Sequence, residues 1–353
     1  MDIAIIGAGN GGQAMAAHFT MLGHKIRLYN RSLEKILPII ETGCITLYDK
    51  IVGTSVIHQV TDNIREAIEG VDLIMITTTA NAHSEIACKI ADIIQEDQTI
   101  VLNPGRTLGA LEFSKEIKKK SNVKTHIAEA QSLIYACRAE SPGKVRIIGV
   151  KDKVLVSAYP LTDTGLVLSK LNKIFPCFIK AENILHTSLE NIGAILHPAV
   201  ILFNAAAIER GSMFYFYSDM TPAVADFLEK LDNERLMIGR AFGVNLLSLF
   251  DWISYAYNNI KGNTLLEKIR NNPAYYKISA PDTLYSRLLL EDIPTGILPM
   301  TQLARMVNIE TPLMNSVLEI SQALLGKNYI NGGRTLNNLG LYNVTKEEFI
   351  HSL

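Results

Sequence analysis

The chain has 353 residues, of which 48% are apolar and 20% charged, and its formal net charge is −1. This length favours two domains, and the balanced charge provides no basic field that would attract a nucleic acid. The four cysteines are scattered without metal-binding spacing, which predicts reduced thiols in a cytoplasmic protein and no metal site. The most apolar later stretch, 192–208, is interrupted by His197, Pro198 and Asn204, so no membrane span is predicted.

The first half of the chain alternates strand and helix patterns. Amphipathic stretches that predict helices separate short apolar runs, and this alternation is typical of a doubly wound, Rossmann-type parallel sheet. A hairpin of 44–47 with 54–60 is expected at one edge of that sheet, and 145–150 is expected to pair with 153–158. The apolar runs predict buried strands at 3–7, 26–29, 73–77, 99–102 and 124–128, with helices at 11–22 and 82–94.

After about residue 182 the strand patterns end and long helical periods follow. Thr311-Pro312 is a typical helix start, and Gly243 and Gly326 stand where helices should end. We therefore divide the chain into an α/β domain, 1–182, and an all-helical C-terminal domain, 183–353. The helices of the second domain are predicted at 185–210, 221–242, 246–257, 283–290 and 312–325.

A glycine-rich turn follows the first predicted strand and opens the first predicted helix. Its sequence, GAGNGG, places Gly7, Gly9 and Gly12 in a G-x-G-x-x-G pattern. Gly7 suits a tight turn, Gly9 the close approach of a pyrophosphate, and Gly12 the packing of helix against strand. The start of the helix favours negative charge. The N-terminal domain is therefore predicted to bind a dinucleotide, with Asn10 and Gly11 among its contacts.

The end of the second strand bears on the choice of cofactor. An acidic residue there would bind both ribose hydroxyls of NAD, but this chain has Asn30 and Arg31. An arginine can bind a 2′-phosphate through paired hydrogen bonds, so NADP(H) is favoured over NAD(H). In the alternative, Arg31 faces solvent and Asn30 alone binds the ribose of NAD. Thr78, Ala80 and Asn103, near the ends of two later strands, are expected to reach the cofactor, although ordinary loop roles would suit each of them equally.

Two motifs in the helical domain carry titratable side chains. His197 lies in an apolar helix and precedes Pro198, which removes a helical hydrogen bond and should kink the helix. A titratable group beside a kink is a candidate acid/base, and a core histidine is the alternative. The second motif, SRLLLEDIPTGILP, contains Arg287 and Asp292. These two side chains can serve one pocket only if the helix ends near Glu291, as the following Pro294 suggests.

Five segments together resemble the octopine/nopaline (opine) dehydrogenase family: ENIGAILHP, SRLLLEDIPTGILP, LNPGRTLGALEF, QSLIYACR and TPAVADFLEKLDNERLMIGRAFG. The resemblance implies an enzyme that condenses an amino acid with a 2-oxo acid and reduces the imine by hydride transfer from NAD(P)H. It also implies that His197 is the acid/base, that Asp292 pairs with it, that Arg287 holds a substrate carboxylate and that the Ser132 hydroxyl contacts substrate. One departure is the loop 78–80, which reads Thr-Thr-Ala where the family usually has Val-Pro-Ala.

Two other functions remain open. A 2-oxo acid reductase of the ketopantoate reductase type has the same architecture, but that group relies on a lysine in the corresponding helix, and no lysine lies between residues 185 and 210. A nucleotide-sensing or scaffold protein without catalysis is the other alternative, which the complete set of His, Arg and Asp opposes. The expected partners are an amino acid and a 2-oxo acid, not nucleic acid or a membrane. A homodimer is compatible with this function, and the oligomeric state stays open.

Overall fold

The structure is a computed structural model that describes residues 1–257 and 260–353. Its described residues form two compact units. The short segment Arg106–Leu108 belongs to the second unit by its contacts, although the chain on both sides of it belongs to the first. The first unit contains Met1–Gly105 and Gly109–Ile184, and the second contains Arg106–Leu108 and Leu185–Leu353.

All β-strands in the described part of the chain lie in the first unit. Several of them, such as Leu73–Ile76 and Thr99–Leu102, are buried along their whole length, and burial on both faces explains their apolar sequences. In chain order, β1 to β12 span Asp2–Ile6, Lys25–Tyr29, Cys44–Asp49, Gly53–Val56, Gln59–Thr61, Leu73–Ile76, Thr99–Leu102, His126–Ala130, Tyr135–Ser141, Lys144–Val150, Val154–Tyr159 and Phe178–Lys180.

The α-helices are distributed over both units. In chain order, α1 to α16 span Asn10–Met21, Leu37–Thr42, Ile64–Ile68, His83–Ile90, Gly109–Lys118, Thr164–Asn172, Ile184–Leu189, Ile192–Phe203, Ala205–Glu209, Pro222–Ala241, Leu249–Ala256, Leu265–Asn271, Arg287–Leu290, Leu298–Met306, Pro312–Leu325 and Lys346–Ser352. None of those in the described residues is both long and apolar enough to cross a membrane.

The large sheet of the first unit has the strand order β12-β11-β8-β7-β6-β1-β2-β5 among the described strands. Its neighbouring strands are parallel except for the antiparallel pair of β8 and β11. Helix α1 packs its buried residues Met15 and Phe19 into the same core as Ile5 of β1. The predicted α/β fold with a Rossmann-type parallel sheet is confirmed, because continuous apolar runs are the strongest signal of such strands.

The placement of one expected hairpin and the pairing of another are wrong. β3 and β4 do form a hairpin, but they belong to a separate sheet of order β4-β3-β10-β9 and not to the edge of the large sheet. β10 and β11 do not pair with each other, since β10 joins β9 and β3 while β11 joins β8 and β12. The partner of a short strand depends on non-local packing, which a turn signal in the sequence does not encode.

The regular secondary structure of the second unit is helical in its described residues, apart from an isolated bridge between Tyr215 and Ser279. This confirms the predicted all-helical class of the C-terminal domain. The long helix expected over 185–210 is instead three helices, α7, α8 and α9. The first break lies at Asn191, whose side chain binds other parts of the unit, and the second lies at Asn204. Pro198 lies inside α8 and does not end it.

The helix expected over 283–290 begins later than predicted, at Arg287. It ends at Leu290, and the chain continues through a π-helical segment, Ile293–Ile297, into α14. Pro294 therefore lies in a helical path that changes its winding, rather than after the end of a helix. Such π-helical turns are frequent at functional sites, and this one follows directly on Asp292.

Candidate active site

The glycine turn of the first unit has the geometry that a pyrophosphate needs. Gly7 has a positive φ of 111°, and a methyl group on Gly12 would overlap the carbonyl oxygen of Gly7. Gly9 immediately precedes α1, and a methyl group there would meet no atom within 4 Å. The turn is therefore tight at Gly7, closely packed at Gly12 and open at Gly9, which fits a dinucleotide at the N-terminus of α1.

Asparagine side chains brace this turn from two sides. The Asn30 Oδ1 accepts a hydrogen bond from the Ala8 amide at 3.2 Å, and its Nδ2 donates to the Ser32 carbonyl at 3.0 Å. The Asn10 Oδ1 accepts from the Ala139 amide at 3.0 Å. Gly11 packs against the Leu133 side chain, 2.7 Å from the position of its missing Cβ. Both ends of the Asn30 amide thus have backbone partners.

Arg31 lies at the expected place and is exposed. Its Nη1 is 3.2 Å from both carboxylate oxygens of Glu85, and the Lys89 Nζ is 2.6 Å from Glu85 Oε1. The hydrogen bond from Lys89 lowers the pKa of Glu85 despite partial desolvation, and the nearby Arg31 acts in the same direction. Two cations therefore meet on one surface carboxylate at the end of the second strand.

The other expected cofactor contacts lie at the ends of β6 and β7. Thr78 lies beside the glycine turn, with its methyl group 2.8 Å from the position that a Gly7 Cβ would take. The Thr78 hydroxyl and the Asn103 Oδ1 are buried without a hydrogen-bond partner among the described residues. The Asn103 Nδ2 donates to the Val101 carbonyl at 2.9 Å, and Ala80 is buried.

In the second unit, His197 is bound to a buried carboxylate. Its Nδ1 is 2.7 Å from the Asp292 Oδ2, and Asp292 is fully buried while the His197 side chain is 17% exposed. Because a carboxylate can only accept, Nδ1 carries the proton and Nε2 is the nitrogen left for exchange. The structure therefore brings together two residues that are 95 positions apart in the chain.

Arg106, which the sequence did not indicate, joins this pair. Its Nη1 is 3.2 Å from the Asp292 Oδ1, and its Nε is 3.2 Å from the Glu291 Oε1. The Nη1 also donates to the Asn191 Oδ1 at 3.1 Å. Burial opposes the charge of this guanidinium, yet the carboxylates of Asp292 and Glu291 raise its pKa above the ordinary value. Arg106 is therefore a permanent buried cation beside the His–Asp pair.

Arg287 completes a row of alternating charges. Its Nη1 is 2.7 Å from the Glu291 Oε2, and its side chain is 53% exposed whereas that of Glu291 is 2% exposed. We call Arg287, Glu291, Arg106, Asp292 and His197 the charge cluster. A guanidinium has five N–H donors, so Arg287 can bind a carboxylate ligand while it keeps its bond to Glu291.

An aromatic group lies on the other side of the imidazole. The Tyr217 hydroxyl is 3.4 Å from the His197 Nε2, and the Tyr217 ring stacks on Tyr275 with centroids 4.1 Å apart. Phe216 meets the imidazole edge-on at 5.9 Å. Burial raises the pKa of Tyr217, so its phenol stays neutral. Tyr217 is thus a hydroxyl in reach of the exchangeable nitrogen, and the sequence suggested only an aromatic segment there.

Ser132 is in the first unit and is not part of the charge cluster. Its hydroxyl accepts a hydrogen bond from the Lys151 Nζ at 3.1 Å, and the same ammonium donates to the Leu133 carbonyl at 2.8 Å. Because the lysine donates, the hydroxyl keeps its own hydrogen for another acceptor.

Two family models match the chain, one over each region. Residues 2–129 match the N-terminus of NAD-dependent glycerol-3-phosphate dehydrogenase, and residues 180–325 match the alpha-helical domain of NAD/NADP octopine/nopaline dehydrogenase. Both models describe nicotinamide-dependent dehydrogenases. The chain is accordingly an NAD(P)-dependent oxidoreductase, and the helical match points to enzymes that act on the CH–NH group of their donors.

A full-length relative makes the family specific. The chain is 36% identical over 344 residues to an opine dehydrogenase of Arthrobacter sp. (strain 1C), which covers 97% of this chain and 96% of the relative. The chain belongs to the opine dehydrogenase family.

Solved structures match its fold. One is octopine dehydrogenase with NADH and L-arginine, at 21% identity and a TM-score of 0.83, covering 100% of this chain and 98% of that one. Another is yersinopine dehydrogenase with NADP+, at 14% identity and a TM-score of 0.69, covering 94% and 91%.

Proposed function

We propose that this chain condenses an amino acid with a 2-oxo acid and reduces the product with NAD(P)H, with His197 as the acid/base. The observation that carries the assignment is the 2.7 Å hydrogen bond from His197 to the buried carboxylate of Asp292, in a chain whose full-length relative is an opine dehydrogenase. Asp292 fixes the imidazole tautomer and stabilises its protonated form. Domain 1–182 then holds the dinucleotide, and domain 183–353 carries the acid/base.

The amine of the amino acid attacks the keto carbon, and the keto oxygen leaves as water to give an imine. When bound, NAD(P)H supplies the hydride that reduces the imine carbon. His197 delivers a proton from Nε2 to the departing oxygen, and in the reverse direction it accepts a proton from the secondary amine. Arg287 binds the carboxylate of the 2-oxo acid and orients its keto carbon. The Ser132 hydroxyl donates its free hydrogen to the substrate.

We propose NADP(H) as the preferred cofactor. Gly7, Gly9, Asn10, Gly11 and Gly12 would surround its pyrophosphate, with Thr78, Ala80 and Asn103 in the adjoining loops. The amide of Asn30 is engaged by backbone groups at both ends, which disfavours it as the sole ribose ligand. Arg31 is exposed and is held only by a surface ion pair with Glu85, which is a weak interaction, so a 2′-phosphate can replace the carboxylate.

The cofactor proposal is tested with two opposite variants. Arg31→Ala should raise KM for NADPH about tenfold and leave KM for NADH nearly unchanged, because a charge-assisted phosphate contact is worth about 1.5 kcal/mol or more. Glu85→Gln should lower KM for NADPH, since it removes the competing carboxylate. Equal effects of Arg31→Ala on both cofactors would instead support NAD(H) with Arg31 in solvent.

The reaction is tested by NADPH oxidation with pyruvate or 2-oxoglutarate, with and without a panel of amino acids. Oxidation that requires the amine and yields a secondary amine by mass spectrometry supports the proposal. A rate that is independent of the amine would favour a 2-oxo acid reductase, and unchanged turnover in His197→Ala would favour a protein without this catalysis.

We also propose a homodimer in the cytoplasm. The location is supported by the four cysteines, which are free in this structure. Light scattering on the purified protein measures the assembly.

A further inference from the structure

We propose that Arg106 is a positioning residue of this enzyme, which holds the Asp292 carboxylate in place, offsets part of its negative charge and so lowers the proton affinity of His197. The inference rests on the proposed function, because it treats His197 as the acid/base. It adds a residue from a distant part of the chain, 8% exposed, that acts through Asp292.

The contacts of Arg106 join both neighbouring carboxylates. Nε pairs with Glu291 and Nη1 with Asp292, each at 3.2 Å, and Asn191 accepts from Nη1 at 3.1 Å. The ion pair with Asp292 involves Oδ1, the oxygen that does not bind His197. His197 and Arg106 therefore contact different oxygens of the same carboxylate, so the cation can hold the orientation of Asp292 without competing with the imidazole.

The charges require such a cation. Asp292 and Glu291 are adjacent in sequence, and their side chains are 0% and 2% exposed. Two buried carboxylates so close together need a nearby cation to offset their charge. Arg106, itself 8% exposed, supplies that cation, and it also offsets part of the negative charge that would stabilise a protonated imidazole.

Other groups around His197 do not replace this function. Tyr217 faces Nε2 as a neutral phenol, and Arg287 reaches Glu291 but forms no ion pair with Asp292 among the described residues. On α10, which packs against α8, Asp232 and Arg235 pair with each other at 2.8 Å. Arg106 forms the ion pair with Asp292, at 3.2 Å, that none of these groups provides.

The backbone around Arg106 has an unusual conformation that fixes the position of its side chain. Arg106 and Leu108 both have φ of 60°, a left-handed conformation that is unfavourable for residues other than glycine. Thr107 between them is fixed, because its amide donates to the Thr295 carbonyl at 3.1 Å and its carbonyl accepts from Arg334 at 2.7 Å. Backbone strain that the surroundings hold in place is characteristic of functional positions.

Gly193 provides the space for the guanidinium. A Cβ at this position would lie 2.7 Å from the Arg106 Nη1 and 3.2 Å from the His197 Cε1. The same turn of α8 thus accommodates both the cation and the imidazole, and only a residue without a side chain fits there.

The experiment compares four variants by two readouts. The variants are Arg106→Met, Arg106→Lys, Glu291→Gln and, as a matched control, Arg235→Lys, which changes another buried, ion-paired arginine of the same unit. One readout is the NMR titration of the His197 imidazole, assigned with His197→Asn. The other is the pH profile of kcat/KM for oxidation of the secondary amine, which needs the imidazole unprotonated.

Removal of the positive charge of Arg106 and removal of the negative charge of Glu291 should move the His197 titration in opposite directions. Arg106→Met should shift the His197 midpoint and the acid limb of kcat/KM upward by about one pH unit, because the carboxylates act on the imidazole uncompensated. Glu291→Gln should shift both downward, because the charge of Arg106 is then less balanced. Arg106→Lys should keep the wild-type midpoint and lower kcat/KM about tenfold, since an ammonium lacks the planar fork.

Any one of three results would overturn the assignment. The His197 midpoint could be unshifted in folded Arg106→Met, it could fail to shift downward in Glu291→Gln, or it could shift equally in Arg235→Lys. If Arg106→Met does not fold, the midpoint of Glu291→Gln and the kcat/KM of Arg106→Lys test the assignment instead. Shifted NMR midpoints in a protein without condensation activity would refute the proposed function and leave the assignment of Arg106 intact.

Discussion

The glycine turn of the first unit is specified by glycines close together in the chain, whereas the charge cluster of the second unit is assembled from side chains far apart. Gly7 and Gly12 act through their backbone, and the side chains packed around the turn, such as Leu133, come from elsewhere in the chain. In the charge cluster, Arg106 meets Glu291 across 185 positions. A short sequence motif can specify a site made of backbone groups, whereas a site made of charged side chains depends on the whole fold. Substitutions in the charge cluster should therefore lower catalysis, and substitutions in the glycine turn should lower cofactor binding.

The largest effect is expected in the charge cluster. Asp292→Asn should lower kcat about a thousandfold, because an amide can present a donor to Nδ1 and favour the wrong imidazole tautomer. Steady-state kinetics measure the loss, and circular dichroism checks that the variant is folded. Cofactor affinity, measured by quenching of protein fluorescence, should not change. An Asp292→Asn enzyme within tenfold of the wild type would refute the role of this carboxylate.

In the glycine turn, substitution of Gly12 should weaken both cofactor binding and stability, whereas substitution of Gly9 should weaken cofactor binding alone. Gly12→Ala places a methyl group against the Gly7 carbonyl oxygen, and we expect NADPH binding to disappear and the free energy of unfolding to fall by about 2 kcal/mol. Gly9→Ala meets no protein atom within 4 Å, so it should weaken NADPH binding with unchanged stability. Calorimetry and denaturant unfolding separate the two, and equal stability losses would contradict the difference.

A moderate effect is expected at Gly193. The added methyl group of Gly193→Ala would displace the Arg106 guanidinium or the imidazole, and we expect kcat/KM to fall about tenfold through misplacement of the acid/base. The control is Gly165→Ala in α6, where a methyl group meets no atom within 4 Å. The same loss in both variants would show that helix stiffening, rather than the cluster, is responsible.

The smallest effect concerns a buried acid outside the charge cluster. Burial raises the pKa of Glu190 above 4.5 despite the nearby Arg235, so the folded state favours the protonated acid. Its stabilising contribution is complete below the unfolded pKa and is lost as the pH rises through the folded one. Glu190→Gln has no such loss, so its free energy of unfolding relative to wild type should increase as the pH rises from 4 to 7. Urea unfolding at several pH values measures this difference, and a constant difference would contradict it.

The sequence was sufficient for the five neighbouring parallel strands β8, β7, β6, β1 and β2 of the large sheet and for the position of the glycine turn. Apolar runs such as that of β7, Thr99–Leu102, predict a buried strand directly, because burial on both faces leaves little choice of residue. The partner of β10 could not be predicted, since it depends on which strands meet in three dimensions. Thr311 and Gly326 mark the ends of α15 as expected, because helix ends have local signals.

The sequence was less informative about the charge cluster. His197 and Asp292 were singled out by a proline and by a family motif, but nothing local marked Arg106, whose partners are formed by chain 85 to 186 positions away. Glu291 and Arg287 are four residues apart, a spacing that is typical of an exposed ion pair on a helix. In the structure Glu291 is buried and also pairs with Arg106. The tertiary fold determines whether a charged residue is buried, so the local sequence does not show it.

The grouping of Arg106–Leu108 with the helical unit has a consequence for dissecting the molecule. A fragment that begins at residue 183 would omit this tripeptide, and Glu291 and Asp292 would lose the cation that balances them. Exchange of helical halves between relatives would likewise have to preserve three residues from the other side of the cut. In this protein a functional boundary does not coincide with a single point along the chain.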